Sequence, residues 1–384
     1  MVGLLGGGLT HLRTSDGQHR IIDGLGCAPM AAHPSIFEPI GSGAIEERRL
    51  TRDRANELGA RAVAVPGALA AWCELLSRHG RWSLADVIEP AIRIASRGFT
   101  ITPYLATNIA EQAALLARDP GLAALLLPGG QPLAAGARLL QPDLADTLRT
   151  LAAEGPDALY RGALGTALAN TLARTGGLIT HHDLEQYTVR SRAPIRARYR
   201  DHEIVGPPPP ASSGVHIAQM LNVLEHFDIR QSGFGTAATC HLLAEAMAIA
   251  FADRSAATGD PEFVQVPVDT LISKTYARAR AALIDPTRRR SWQTGLARVG
   301  ESADTTHLTI ADADGMVVAS TQTLNGPFGA GLMIPGTGLL ANNYLYNFDP
   351  HPGNALSIAP GKRVFTSMAP MMLLYRRGEN AQGR

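Results

Sequence analysis

The chain has 384 residues, 45% of them hydrophobic and 18% charged, enough apolar material for a sizeable core and too much for a disordered chain. Its 35 basic residues nearly balance its 34 acidic ones, which argues against the concentrated basic face of a nucleic-acid or membrane-surface protein. The three cysteines, Cys27, Cys73 and Cys240, are too few and too widely spaced for a disulfide framework or a zinc site.

Residues 1–60 read as strands and loops around Gly6-Gly7-Gly8 and Ile21-Ile22. The opening Met-Val-Gly-Leu-Leu lacks the positive region of a signal peptide, and no apolar run reaches the length of a membrane helix. From Pro66 the pattern turns helical, with Ala68–Ser77 closed by His79-Gly80. Ser83 and Asp86 form a capping-box pattern for a second helix, expected to kink or split at Pro90 and to end near Gly98. Further helices are expected over Leu144–Ala153 and Leu164–Arg174. Residues 188–206 alternate as strands do and run into Pro207–Pro210, and Ser212-Ser213-Gly214 then reads as the cap of a helix over His216–His226. An apolar helix follows over Ala237–Arg254, and the polar stretch Asp285–Asp304, with Arg288–Arg290, reads as an exposed loop. Thr305–Ala311 and Met316–Thr323 are β-rich runs joined by Asp312-Ala313-Asp314-Gly315, a hairpin signal, and a last strand is expected over Met368–Arg376. The coarse expectation is a mostly helical first three-quarters and a β-rich final quarter.

The stretch carrying the most chemistry is Asp304-Thr305-Thr306-His307-Leu308-Thr309-Ile310. A polar loop running into a Thr pair and then a strand suits a chain cut before a Thr, whose new α-amine serves as base for its own hydroxyl. Such an amine titrates near ~8, so a useful fraction is unprotonated at neutral pH. The ordinary alternative is a Thr that sits at a strand start for its β-propensity.

Several segments then resemble one family. Thr305-Thr306-His307, Asp312-x-Asp-Gly315, Thr321 through Asn325, Phe328-Gly329, Gly336-x-Gly338 and Asn342-Asn343 resemble the small subunit of the γ-glutamyltranspeptidases. Pro360 through Arg363 continues the likeness, as does Thr366-Ser367-Met368, where the family usually has Ser-Ser-Met. Upstream, Val65-Pro66-Gly67, Glu89-Pro90-Ala91, Tyr160-Arg161-Gly162, Gly176 through Thr180, Pro207–Pro210 and Ala252-Asp253-Arg254 carry it over most of the chain.

The resemblance implies an α+β fold, the four-layer αββα sandwich of the N-terminal-nucleophile hydrolases, with no cofactor and no metal. It divides one αββα domain into a large-subunit-like segment, 1–304, and a small-subunit-like segment, 305–384, generated by self-cleavage between Asp304 and Thr305. Thr305 is then the nucleophile, Thr323 the residue that hydrogen-bonds it, and Asn325 a substrate-binding residue. Thr366 and Ser367 match hydroxyls that bind a substrate carboxylate. The implied partners are a small amide and water or an amine as acceptor, with the two processed pieces remaining associated.

Three positions depart from the γ-glutamyl pattern. Leu25 stands where those enzymes have an Arg that clamps the substrate carboxylate, and Tyr344 and Asn347 stand where they hold its ammonium group. Each lost charge-assisted contact costs about 1.5–3 kcal/mol, so losing two weakens recognition by roughly 10²- to 10⁴-fold. Glutathione is therefore expected to be a poor substrate, and the pattern suits cephalosporin-acylase-like or oxamate-amidohydrolase-like branches; a true glutathione hydrolase is the alternative. A fourth departure concerns the oxyanion. Past Met368 there is no counterpart of the family's Gly-Gly pair, whose loss costs about 10²–10³ in rate per donor. The family also has helices before its glycine run, so the expectation includes a fragment or a non-catalytic scaffold. His181-His182 lack a third ligand nearby, and His307 reads as an orienting or packing residue rather than a base.

Overall fold

The computed structural model describes residues 2–41, 49–256, 258–292 and 305–375. Its main strands are β1 (Gly7–Arg13), β2 (His19–Gly24), β3 (Arg190–Arg192), β4 (Ile195–Tyr199), β5 (His202–Gly206), β6 (Thr306–Ala311), β7 (Val317–Thr323) and β8 (Met372–Tyr375). Five of them form one antiparallel sheet in the order β3-β2-β1-β7-β6, and the other three form a second in the order β8-β5-β4. Helix α1 (Ala68–His79) packs on β1 and β2, and a helix over Ser213–Leu224 packs on β4 and β5, so helices cover the outer side of each sheet. This is the αββα arrangement that the motifs imply. All the α-helices of the described residues lie before residue 305, and the elements after it are strands and one 3₁₀ turn, as the coarse reading expects. Strands β1, β2 and β3 from the 1–304 segment share one sheet with β6 and β7 from the 305–384 segment.

Alternation along the strands decides what faces what. Leu9 of β1 and Ile21 of β2 point between the sheets, where they join Leu25, Tyr344, Val364 and Met368 in one buried cluster. Leu12 and Val318 point the other way and line, with Leu69 of α1, an apolar groove of about 830 Å³. The glycine run at the start of β1 is explained by close approach. A Cβ on Gly6 would stand 2.4 Å from the Thr323 carbonyl oxygen, and one on Gly7 would stand 3.1 Å from the Tyr344 ring. Asn342 ties three distant segments together. Its Nδ2 donates to the carbonyls of Leu5 (2.7 Å) and Ala64 (2.9 Å), and its Oδ1 accepts from the N–H groups of Ala64 (3.0 Å) and Tyr344 (3.0 Å).

Local signals in the sequence fare unevenly. The Ser83/Asp86 capping box forms in both directions, and the Asp312–Gly315 turn closes the β6–β7 hairpin with Gly315 at φ +84°. Pro90 does not split its helix: Leu84–Arg97 is one element, packed along the helix Pro142–Glu154. Ser212 is not a side-chain cap. Its backbone is already helical, and its hydroxyl donates instead to the Thr366 carbonyl (3.3 Å), while Ser213 donates to the Met368 carbonyl (2.6 Å). The last strand begins only at Met372, and the Thr366 and Met368 carbonyls are used in those contacts instead of a sheet ladder. Residues 286–291 lie exposed or half-exposed as expected of a loop, and Asp304 falls outside the described residues.

Between the sheets, His11 of β1 is fully buried. Its Nδ1 lies 2.9 Å from the Pro370 carbonyl and must donate to it, so Nε2 accepts from His19 Nδ1 at 2.9 Å. Burial above all, with His19 and Arg196 nearby, lowers the His11 pKa to about 4. The folded protein therefore keeps a neutral imidazole that the unfolded chain protonates below ~6.5, and stability should fall as pH drops from there to about 4, by on the order of 3 kcal/mol from this group. Urea unfolding across that range should show the loss, with a shallower slope in His11→Gln; an unchanged slope would contradict the account. Asn342→Ala strands two carbonyls and two N–H groups in a buried site, so unfolding free energy should drop by about 3–5 kcal/mol. A loss below about 1 kcal/mol would show that Asn342 is not the tie described.

Candidate active site

The β6–β7 register pairs Thr306 with Gln322 and His307 with Thr321. Continuing it by one residue sets Thr305 directly across from Thr323, on the face that carries Thr321 and His307. Thr305 is exposed, whereas Thr323 is buried. On its other side Thr323 pairs with Gly7, so the strand end beneath Thr305 is held from both edges. The next rung is a polar one. His307 Nδ1 lies 2.7 Å from Thr321 Oγ1 and its Nε2 lies 3.0 Å from Thr309 Oγ1, which fits the expectation of an orienting residue.

Past Thr323 the chain turns sharply. Asn325 adopts φ +83°, and its N–H donates to Thr323 Oγ1 at 2.8 Å, which fixes the hydroxyl's direction. The Asn325 side chain donates to Asn343, 3.3 Å from both its carbonyl and its Oδ1, and Asn343 Oδ1 also accepts from Gly326 N–H at 2.8 Å. The register thus sets Thr305 across from Thr323, two residues before Asn325. Asn343, quoted only as part of a motif, proves to be the bracket behind Asn325.

Leu25 and Tyr344 lie elsewhere than at an open surface. Both are fully buried in the cluster between the sheets, with no side-chain area to offer a ligand in this arrangement. Tyr344 stands behind Thr323: its hydroxyl is 3.1 Å from the Thr323 carbonyl and 3.0 Å from that of Gly7, sharing one proton between them. Burial pushes this phenol far above its ordinary pKa, so it stays a neutral donor. Its part is to position the strand end. The 3₁₀ turn Tyr344–Asn347 leads to the second group of expected site residues. Asn347 Nδ2 donates to the Phe365 carbonyl (3.2 Å), and Thr366 Oγ1 accepts from Met368 N–H (3.2 Å), so both hold the 365–368 segment in place. Ser367, half-buried, has no hydrogen-bond partner among the described residues.

Under Leu25 lies a charged network that sequence reasoning missed, although Arg363 closes a quoted motif. Asp23 is fully buried and accepts from Leu25 N–H (3.0 Å), Arg192 Nε (2.6 Å) and Arg363 Nη1 (3.3 Å). Arg363 also donates to the Leu25 carbonyl (3.1 Å) and to Thr188. Burial works against its charge, but Asp23 and Tyr187 more than offset this and raise its pKa. Buried and paired with one another, these groups brace the loop that Leu25 occupies, although Arg192 Nη2 is buried without a hydrogen-bond partner. The 830 Å³ groove is a poor candidate for the chemistry: it lies on the Leu12 and Val318 face, opposite Thr323, and is lined almost wholly by aliphatic side chains. Among the described residues no cluster of His, Cys, Asp and Glu could hold a metal ion.

Comparison with known proteins agrees with this architecture. Residues 1–382 match the Gamma-glutamyltranspeptidase family. The chain is 61% identical over 374 residues to the acylase ACY 1 proenzyme of Pseudomonas sp. (strain SE83), covering 97% of this chain and 67% of that protein. It is 34% identical to the glutathione hydrolase proenzyme of Escherichia coli (strain K12), covering 96% of this chain and 65% of that one. The crystal structure of cephalosporin acylase from Bacillus halodurans superposes with a TM-score of 0.80 at 28% identity, over 97% of this chain and 67% of the other. The chain thus spans about two thirds of the length of these relatives. With its two face-to-face sheets, its helical outer layers and its Thr305–Thr323 strand end, this chain belongs to the γ-glutamyltranspeptidase family.

Proposed function

We propose that this chain carries the core of a self-processing amidohydrolase that uses Thr305 as an N-terminal nucleophile. The observation that supports it best is the rung Thr305–Thr323, with Asn325 and Asn343 beside it at the end of the β6–β7 hairpin. In processing, Thr305 Oγ attacks the Asp304 carbonyl, the acyl group shifts from nitrogen to oxygen as the C–N bond breaks and frees the α-amine, and water then hydrolyses the ester to release the Asp304 carboxylate and the Thr305 hydroxyl. In turnover that amine takes the Oγ proton as the hydroxyl attacks an amide, and the leaving amine is protonated as the C–N bond breaks. Water or another amine then accepts the acyl group from Thr305. Thr323 orients the nucleophile, and Asn325, held by Asn343, is the substrate-binding residue beside it.

An acyl group other than γ-glutamyl is favoured. The position of the carboxylate clamp is Leu25, whose side chain is buried, and the 61% identical relative is named an acylase, against 34% identity for the named glutathione hydrolase. "Proenzyme" in both names accords with processing. Two fragments separating at Thr305 are expected in the intact mass of purified protein. Thr305→Ala should remain one chain, and Thr323→Val should slow cleavage by about 10- to 100-fold through loss of one orienting hydrogen bond. Continued scission at the same bond in Thr305→Ala would overturn the assignment.

A further inference from the structure

We infer that the cleft between Arg54 and Arg118 is a subsite that recognises a carboxylate on the amide substrate. The inference rests on the acyl-transfer reading, because the cleft matters through its nearness to Asn325. It measures about 290 Å³ and lies between residues 54–58, the helix Ala113–Leu116 with Arg118 just beyond it, and the turn Gly326–Gly329, with Asn343 in its wall. Gly326 follows Asn325 directly, and Asn343 holds Asn325 through its side chain, so the cleft begins one residue after Asn325 and three after Thr323, where the strand ends.

The two guanidinium groups in this cleft are not equivalent. Arg54 is committed: its Nε and Nη2 donate to the two carboxylate oxygens of Glu57 at 2.9 and 2.6 Å. The side chain of Arg118 makes no hydrogen bond or ion pair among the described residues, and it is exposed at the mouth. Two arginines against one glutamate leave the cleft one positive charge in excess. Leu58, Leu115 and Phe328 supply an apolar floor, so a short methylene chain can lie on it while its terminal carboxylate meets the fork of Arg118.

The backbone points to the same place. Four non-glycine residues among those described have positive φ, and three of them, Asp53 (57°), Arg54 (53°) and Asn325 (83°), border this cleft or sit beside its wall. Residues held in that region cost energy that the surrounding structure must maintain, and such residues gather at binding sites. The charge absent at buried Leu25 is thus available from another element, Arg118, in the cleft that Gly326 and Asn343 line.

The test uses the full chain and glutarate as probe, with neutral glutaramide as its control. By calorimetry glutarate should bind at least about tenfold more tightly than glutaramide, and that preference should vanish in Arg118→Ala and persist in part in Arg118→Lys. It should also weaken as salt rises, as expected for an exposed charge. Equal binding of the two probes, or an unchanged preference in Arg118→Ala, overturns the inference. Kinetics with glutaryl anilide, with the butyryl amide of 4-aminobenzoate and with neutral butyryl anilide then identify the source of the carboxylate. A raised KM with little change in kcat in Arg118→Ala for the first places it on the acyl part, and for the second on the amine part; an effect on neither overturns the subsite. Thr305→Ala should keep the glutarate preference, so a wild-type chain that prefers glutarate yet never cleaves at Thr305 would overturn the acyl-transfer reading and leave the anion site standing.

Discussion

Thr323 ends a strand that is hydrogen-bonded along both edges. Gly7 of β1 lies across from it on one side, and on the other the β6 register carries forward to Thr305. Around that point the packing leaves no slack. Gly6 has no room for a Cβ against the Thr323 carbonyl, the Tyr344 hydroxyl reaches the same carbonyl from below, and Asn342 fixes the Tyr344 backbone to Leu5 and Ala64. A nucleophile needs a rigid platform, since an error of about 1 Å in its placement can cost about 10²-fold in rate. On the proposed reading, the platform is a strand end clamped by both halves of the chain. This also accounts for why the two expected segments share one sheet: a cut before Thr305 would leave them joined by the full β1–β7 ladder.

Some of this was legible in the sequence because the signals are local. The Asp312–Gly315 turn, the Ser83/Asp86 box and the i, i+2 spacing of Thr323 and Asn325 each specify their geometry within a few residues. What could not be read depends on contacts between distant residues. Gly6-Gly7-Gly8 reads only as part of a stretch of strands and loops, and its reason is distant: Gly7 and Gly8 open β1, and the missing side chains make room for β7 and Tyr344. Pro90 reads as a kink or break, yet one helix runs through it beside the helix Pro142–Glu154. Leu25 and Tyr344 read as substrate contacts from their place in motifs, and only the packed structure shows that they face the core. Arg118 lies in a stretch with no motif at all, and only the fold brings it beside Gly326 and Asn343.

Charge is distributed in a way that separates support from recognition. Asp23, Arg192 and Arg363 spend their charges on one another and on the loop around Leu25, where removing one member would leave another buried and uncompensated. Arg118, at the mouth of its cleft, keeps its charge toward solvent. Position 25 holds a core leucine, while the guanidinium of Arg118, without a hydrogen bond or ion pair among the described residues, lies in the cleft lined by Gly326 and Asn343.

The central claim is that Thr305 carries the acyl group. It is tested most directly by mixing the processed protein with a slow acylating amide, quenching in acid and mapping the mass of the fragments. An added acyl mass on the peptide that begins at Thr305, absent in Thr305→Ala, is the predicted result. Turnover of the amide with the adduct on any other residue, or with no adduct on that peptide at all, would contradict the account.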